Sequence, residues 1–128
     1  MSEFDEVRSL PVRATDLLRV RREDSASVVV LHFTGDIDLS TAGFLAEQLR
    51  LAEESAAPPA SLVADLEGVG FLGSAGLMVL ARQQEQCERR GIPFLIVGSS
   101  RAVVRSIEMA GLETVLRVVP TIQEALAV

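Results

Sequence analysis

Ser74 is the hydroxyl in this sequence whose position best suits chemistry. It lies in the segment Gly73-Ser74-Ala75-Gly76, between an apolar stretch and a long helical pattern. The segment falls one residue short of the G-x-S-x-G pattern of serine hydrolases, whose triad follows the order Ser, Asp, His. The single histidine, His32, precedes the serine, which argues against hydrolysis. Position alone favours Ser74 as a helix N-cap, where a serine oxygen accepts a backbone N–H bond.

A glycine pattern next to Ser74 raises the possibility of nucleotide binding. Gly68, Gly70 and Gly73 match G-x-G-x-x-G between a predicted strand and a helix. Dinucleotide-binding domains place this motif after their first strand, with an acidic residue about 20 positions further on. Here it follows the third predicted strand, contains the bulky Phe71 and Leu72, and is followed by a strand that ends without an acid. We therefore expect no nucleotide cofactor, and a sensor of nucleotides or other small ligands at the glycine turn is the weakest of the alternatives.

The remaining candidates for chemistry are few. Asp36 and Asp38 are two positions apart, but the further oxygen ligands of a Ca²⁺ loop are missing. His32 stands in a strand pattern with no second histidine to share a metal, and we expect a structural or solvent-facing role. Cys87 has no cysteine partner, so we expect a buried apolar residue rather than a redox or zinc site. The residues predict no catalytic group and no metal site.

Composition excludes several classes of partner. The net charge is −6 and the chain has no Trp or Tyr. Binders of single-stranded nucleic acid need basic grooves and aromatic platforms, so nucleic acid is not an expected partner. No apolar run approaches the roughly 18 residues of a membrane helix. The acidic start of the sequence does not resemble a signal peptide, and a lone cysteine suits a reducing compartment. We expect a cytoplasmic protein.

Hydrophobic periodicity predicts the order β-β-α-β-α-β-α-β-α. This order indicates an α/β fold with a mainly parallel sheet of four to five strands, one antiparallel edge strand and four helices. Residues 1–14 are interpreted as a tail and 15–128 as one domain. The first predicted strand starts at Leu17. The others are Ser27–Thr34, Leu62–Leu66, Pro93–Val97 and Val115–Val119. The first predicted helix is Thr41–Glu54, with a cap at Asp38, Ser40 or Thr41. The second is Ser74–Arg90, which Gly91 ends. A third helix is capped by Ser99 or Ser100, and a fourth starts at Thr121.

The stretch from Asp65 to Leu80, DLEGVGFLGSAGLMVL, resembles the signature of the STAS domain, the family of bacterial anti-sigma factor antagonists. That family reads D-L-S-x-V-x-F-[ML]-D-S-[ST]-G-L at this point. The matching residues are Asp65, Leu66, Val69, Phe71, Leu72, Ser74, Gly76 and Leu77, with earlier matches at Gly35, Asp38, Thr41 and Ala42 and later ones at Ile107, Gly111 and Leu112.

The resemblance implies a regulatory protein rather than an enzyme. In the family the serine that matches Ser74 is phosphorylated by the anti-sigma factor, a serine kinase of the histidine-kinase-like ATPase fold. The unphosphorylated antagonist binds this kinase and so releases a sigma factor. The sequence departs from the family at Gly73, where an aspartate is usual, and at Ala75. The implied partner surface consists of Asp36, Asp38, Gly73, Ser74, Ala75 and Gly76.

An alternative keeps the fold and omits sigma control. Single-domain STAS proteins also resemble subunits that support transport ATPases. Gly73, in place of the family's acid, is compatible with a domain that is never phosphorylated. Neither interpretation requires a cofactor in this chain, since ATP and Mg²⁺ belong to the kinase.

Overall fold

The structure is a computed structural model that describes residues 8–9, 13–14, 17–57 and 60–127, with only the backbone given for 8–9 and 13–14. The strands are β1 (Arg8–Ser9), β2 (Arg13–Ala14), β3 (Leu18–Asp24), β4 (Val28–Ile37), β5 (Ser61–Leu72), β6 (Phe94–Val97) and β7 (Val118–Val119). The helices are α1 (Ala42–Ser55), α2 (Ser74–Arg90), α3 (Arg101–Met109) and α4 (Ile122–Leu126). None of the helices in these residues is long and apolar enough to cross a membrane.

The sheet is mixed and mostly parallel. From β3 onward the strands lie side by side in sequence order. β3 pairs antiparallel with β4, whereas the pairs β4–β5, β5–β6 and β6–β7 are parallel. Parallel neighbours need a crossover connection, and α1, α2 and α3 provide the three crossovers. The predicted fold class is confirmed.

The two faces of the sheet are covered unequally. α1, α2 and α3 pack on one face, where their apolar residues join the alternating inward residues of β3 to β6 in one large core. The predicted stripe of α1, Ala42, Leu45, Leu49 and Ala52, is buried there. The other face carries a smaller cluster around Val30, Val63 and Leu95, covered by α4 through Ala125. Polar side chains, His32 and Asp65 among them, lie beside this cluster.

β5 is longer than predicted, and this corrects the expected strand at Leu62–Leu66. The residues that follow break strict alternation, because the buried positions Leu66, Val69 and Leu72 are three apart. Two register shifts against β4 explain the spacing. Each inserts one extra residue into β5 and returns the next apolar side chain to the core, as β-bulges do. The strand therefore continues to within one residue of α2.

The predicted tail at 1–14 contains paired backbone. β1 and β2 both pair antiparallel with β3. β3 therefore has neighbours on both sides, whereas an edge strand was expected at this position. The other residues of that segment lie outside the described part of the chain. The boundary at residue 15 stays a prediction. The last strand is also shorter than predicted, because the chain turns at 112–116 and only Val118–Val119 pair with β6.

A buried polar network joins the ends of α1 and α2. The Glu53 carboxylate on α1 accepts hydrogen bonds from Gln83 at 3.0 Å, Gln86 at 3.2 Å and Arg90 at 3.0 Å, all on α2. Arg90 also donates to the backbone oxygen of Glu53 at 2.8 Å. Burial raises the pKa of Glu53, but the bonds from Arg90, Gln83 and Gln86 outweigh it and the pKa is lowered. Next to this network Cys87 is fully buried, as predicted, and burial raises the pKa of its thiol.

Candidate functional site

Ser74 is the first residue of α2, and the N-cap position belongs to Gly73. This corrects the predicted N-cap. Because β5 runs to Leu72, only Gly73 remains to connect strand and helix, and it adopts an extended conformation with φ −92° and ψ 178°. Ser74 already has helical geometry, and no side chain caps this helix. Its exposed hydroxyl makes no hydrogen bond to the described residues, so the group is available to a partner.

The backbone around Ser74 favours an anion. Gly73 donates its N–H to the oxygen of Ile37 at 2.9 Å, which holds the start of α2 against the end of β4. The first helical bond runs from the N–H of Leu77 to the oxygen of Gly73 at 3.0 Å. The N–H groups of the first turn lack helical acceptors, and the helix dipole adds positive potential there. No acidic residue lies in this turn to oppose a negative charge.

Gly73 and Gly76 have different surroundings. A Cβ at Gly73 would lie 3.0 Å from Cε2 of Phe71, so the aromatic ring covers the place of a side chain. Gly76 is buried, and a Cβ there would collide with Ile37 and lie 2.9 Å from Cδ1 of Leu72. Gly76 therefore lets α2 approach the sheet closely. The structure places it under the predicted partner surface instead of on it, whereas Gly73 and Ala75 are half-buried.

Asp38 organises the loop before α1. Its Oδ1 accepts hydrogen bonds from the Ser40 N–H at 2.9 Å, the Ser40 hydroxyl at 2.7 Å and the Thr41 N–H at 3.2 Å. The hydrogen bond from the Ser40 hydroxyl makes the largest contribution to the lowered pKa of Asp38. The buried Thr41 occupies the cap position of α1, but its hydroxyl donates to the oxygen of Asp36 at 2.9 Å and makes no cap bond. Of the three predicted capping residues, Asp38 is therefore the one that stabilises the loop through hydrogen bonds.

Exposed apolar side chains lie on the segments that flank Ser74 and on the loop after β4, and sequence reasoning did not assign them to the partner surface. Phe71 is 52% exposed beside Gly73, and Met78, one helical turn after Ser74, is 53% exposed. Leu39 is 87% exposed in the loop that follows β4. Phe71 pairs in register with Asp36, whose exposed carboxylate lies next to Gly70. We call the group formed by Asp36, Leu39, Phe71, Gly73, Ser74 and Met78 the Ser74 surface.

The glycine pattern does not form a phosphate loop. Gly68 and Gly70 lie inside β5 and not in a turn that leads into a helix. A Cβ at Gly68 would lie 2.9 Å from the oxygen of Phe33 and 3.0 Å from Oγ1 of Thr34. Gly68 therefore serves the close pairing of β5 with β4. This placement agrees with the expectation that the motif binds no dinucleotide.

His32 lies between two carboxylates on the second face of the sheet. Its Nδ1 is 2.6 Å from Oδ2 of Asp65, and its Nε2 is 2.5 Å from Oε1 of Glu23. Both contacts join His32 to neighbouring strands, and a structural or solvent-facing role for this residue stays a prediction. Within the described ranges, no three His, Cys, Asp or Glu side chains are arranged to hold a metal ion.

Comparisons with known proteins agree with this geometry. Residues 19–125 match the family model of the STAS domain. The anti-sigma-F factor antagonist RsfB of Mycobacterium tuberculosis is 37% identical over 113 residues, which cover 88% of this chain and 90% of RsfB. The anti-sigma-F factor antagonist RsfA of the same organism is 32% identical over 119 residues, or 93% of each chain.

A solved structure gives the same result in three dimensions. The crystal structure of an anti-sigma factor antagonist from Mycobacterium paratuberculosis superposes with a TM-score of 0.72 at 31% identity. The match covers 99% of this chain and 97% of that one. Both the family model and these relatives span nearly the whole sequence, including the strand–helix junction that presents Ser74. The chain belongs to the STAS domain family.

Proposed function

We propose that this protein is an anti-sigma factor antagonist that works by binding and not by catalysis. In this proposal the unphosphorylated form binds an anti-sigma factor, a serine kinase of the histidine-kinase-like ATPase fold, and thereby releases a sigma factor. Phosphorylation of Ser74 by that kinase ends the binding. The observation that carries the proposal is the exposed Ser74 hydroxyl at the start of α2, which makes no hydrogen bond within the described part of the chain. The names of the two mycobacterial relatives, both anti-sigma-F factor antagonists, support it.

The Ser74 surface suits a protein partner. Leu39, Phe71 and Met78 are large apolar side chains that are exposed, and exposed apolar groups bordered by polar ones are typical of interaction sites. Aromatic residues at the centre of such surfaces often contribute most of the binding energy. Phe71 is the aromatic residue of this surface, and the small Gly73 beside it leaves its ring accessible. We expect Phe71 to be the main apolar anchor.

A phosphate at Ser74 changes this surface without opposing the fold. The group adds about two negative charges at a helix amino terminus, where negative charge is favourable. The same charges lie among apolar side chains that a partner must cover, so binding would require their desolvation. A thousandfold loss of affinity corresponds to only about 4 kcal/mol. Charge repulsion and desolvation are sufficient for such a loss.

The test uses the purified chain and the anti-sigma kinases of its host. Wild type, Ser74→Ala and Ser74→Asp are each titrated into the kinase by calorimetry, and phosphorylation with ATP and Mg²⁺ is located by mass spectrometry. We expect wild type and Ser74→Ala to bind and Ser74→Asp to bind at least about a hundredfold more weakly, or about 3 kcal/mol. Only wild type should be phosphorylated at this position. None of the three proteins should hydrolyse ATP alone.

A matched control separates the site from the added charge. Ser27 is an exposed serine at the amino end of β4, the opposite end from Asp36. Ser27→Asp should bind as well as wild type. Equal binding by Ser74→Asp and wild type, or phosphate located elsewhere than Ser74, would contradict the switch. Recovery of a transporter complex by all variants, with no kinase bound, would favour the transport-subunit alternative.

A further inference from the structure

A chain of polar contacts crosses three strands on the second face of the sheet. It runs from Glu23 on β3 through His32 on β4 to Asp65 on β5, with contacts of 2.5 Å and 2.6 Å at the two ring nitrogens. Ionised carboxylates only accept hydrogen bonds, and an imidazole donates from both nitrogens only when it is protonated. With both carboxylates ionised, both contacts are hydrogen bonds only when His32 is an imidazolium. A neutral ring can donate to one of the two carboxylates only.

The far end of this chain reaches the first bulge of β5. Oδ1 of Asp65 accepts the backbone N–H of Glu67 at 3.0 Å, while Oδ2 is engaged with His32. The register pairs His32 with Asp65 but Thr34 with Gly68. Between these pairs, one residue of β4 stands opposite two residues of β5. Asp65 thus binds the backbone at the point where the extra residue enters the strand.

The bulge determines to which face of the sheet the later side chains of β5 point. A shift of one residue in a strand turns each later side chain to the opposite face. With the bulge in place, Val69 and Leu72 point into the core, and Phe71 and Ser74 are exposed. Leu72 is followed directly by Gly73 and α2, so no flexible loop separates the bulge from the Ser74 surface.

Among the described residues, β3 and β5 place charged groups next to His32. On β3, Glu23 also pairs with Arg21 at 3.3 Å, while Asp24 is engaged by Arg22 at 2.7 Å. On β5 the facing group is Asp65. The side chains of α4 that line the small cavity beside His32, Ile122 and Leu126, are apolar. The hydrogen bond from His32 makes the largest contribution to the lowered pKa of Glu23.

We propose that Glu23, His32 and Asp65 form a positioning device that couples protonation of His32 to the conformation of the Ser74 surface. With His32 protonated, Asp65 is held at the bulge and the end of β5 is ordered. When the ring loses its proton it can donate to only one of the two carboxylates. In the tautomer that donates to Glu23, the Asp65 carboxylate loses its donor at Oδ2 and its hold on the Glu67 N–H weakens. The consequence for partner binding rests on the proposed function; the conformational coupling does not.

Nuclear magnetic resonance of the isolated protein tests the coupling without any kinase. His32 is the single histidine, so its ring protons are identified without ambiguity. In wild type, across a pH series, the amide signals of Glu67, Phe71 and Ser74 should move along the same curve as the ring protons. In His32→Gln this transition should disappear. In Asp65→Ala the ring should still titrate while the three amides no longer follow it.

A neighbouring carboxylate provides the control. Asp24 follows Glu23 on β3 and lines the same small cavity, but its carboxylate pairs with Arg22. Asp24→Asn should keep the common transition. The proposal is wrong if the amides of Glu67, Phe71 and Ser74 do not respond in wild type while the ring titrates, or if their response survives in His32→Gln. If Asp65→Ala does not fold, His32→Gln alone decides. Failure of Ser74 phosphorylation would leave these outcomes unchanged, so the two proposals fail separately.

Discussion

Ser74 is exposed because the residue before it, and not Ser74 itself, occupies the cap of α2. A serine that caps a helix has its oxygen bound to a backbone N–H, as Ser100 does with Val103 at 3.3 Å. Ser74 makes no such bond. The role of structural cap and the role of surface hydroxyl, which the sequence left as alternatives, therefore belong to different residues in this fold.

This difference predicts unequal effects of two matched substitutions. Ser100→Ala removes a cap and should lower the free energy of unfolding by about 1 kcal/mol. Ser74→Ala removes an exposed hydroxyl that has no hydrogen-bond partner among the described residues, and it should change the free energy of unfolding by less than about 0.5 kcal/mol. Urea unfolding followed by circular dichroism measures both. A loss at Ser74 as large as that at Ser100 would show that Ser74 does cap the helix in solution.

Two helix glycines give the second prediction at this scale. Gly76→Ala places a Cβ against Ile37 and Leu72 and should destabilise the protein by about 1–3 kcal/mol. Gly43 lies in α1, where a Cβ would have open space within 4 Å. Gly43→Ala should stabilise by about 0.5–1 kcal/mol, because alanine loses less conformational entropy in a helix. Equal signs of the two changes in chemical denaturation would contradict the close approach at Gly76.

At the scale of elements, the junction of α1 and α2 depends on one arginine. Arg90 donates to the Glu53 carboxylate and to the backbone oxygens of Glu53 and of Ala56, the C-cap residue of α1. Arg90→Ala should lower the free energy of unfolding by about 1–3 kcal/mol, since it leaves the acceptors of a buried carboxylate poorly paired. The neighbouring Arg89 is exposed and pairs with Glu85 at 3.7 Å. Arg89→Ala should change stability by less than about 1 kcal/mol, and an equal loss in both variants, measured by urea unfolding, would exclude a special role for Arg90.

At the scale of the whole molecule, the carboxylates predict acid sensitivity. Glu23 and Glu53 have pKa values lowered below 4.5 in the folded protein. Below pH 4.5 the unfolded chain binds more protons at these sites than the folded one. Their stabilising contribution is therefore present above that pH and is lost as the pH falls through the lower folded values. The free energy of unfolding should decline over this acidic range.

The double variant Glu23→Gln/Glu53→Gln checks this assignment. It should be less stable than wild type at neutral pH, and its stability should decline less on acidification. Thermal unfolding at a series of pH values measures the slope. Glu88→Gln, which removes an exposed carboxylate of α2, controls for the loss of charge. A double variant with the acid profile of wild type would show that other groups govern the decline.

Much of the fold was predictable because it depends on local patterns. The stripe of α1, the stop of α2 at Gly91 with φ 72°, and a serine cap of α3 at Ser99 or Ser100, which is Ser100 in the structure, follow from residue types at fixed spacing. The length of β5 was not predictable in this way. Its apolar residues are three apart after Leu66, and only pairing with β4 shows that two bulges restore them to one face.

The sequence by itself determined the order of elements, the family signature and the identity of the candidate serine, because these reside in local spacing and residue type. The tertiary structure decided which groups meet. It placed Phe71 and Met78 outside the core although both are apolar, and it buried Gly76 beneath the predicted surface. It also joined His32 to Asp65, 33 residues apart in the chain, across neighbouring strands. Exposure and long-range contacts depend on how strands pair and helices pack, which no single segment of the sequence specifies.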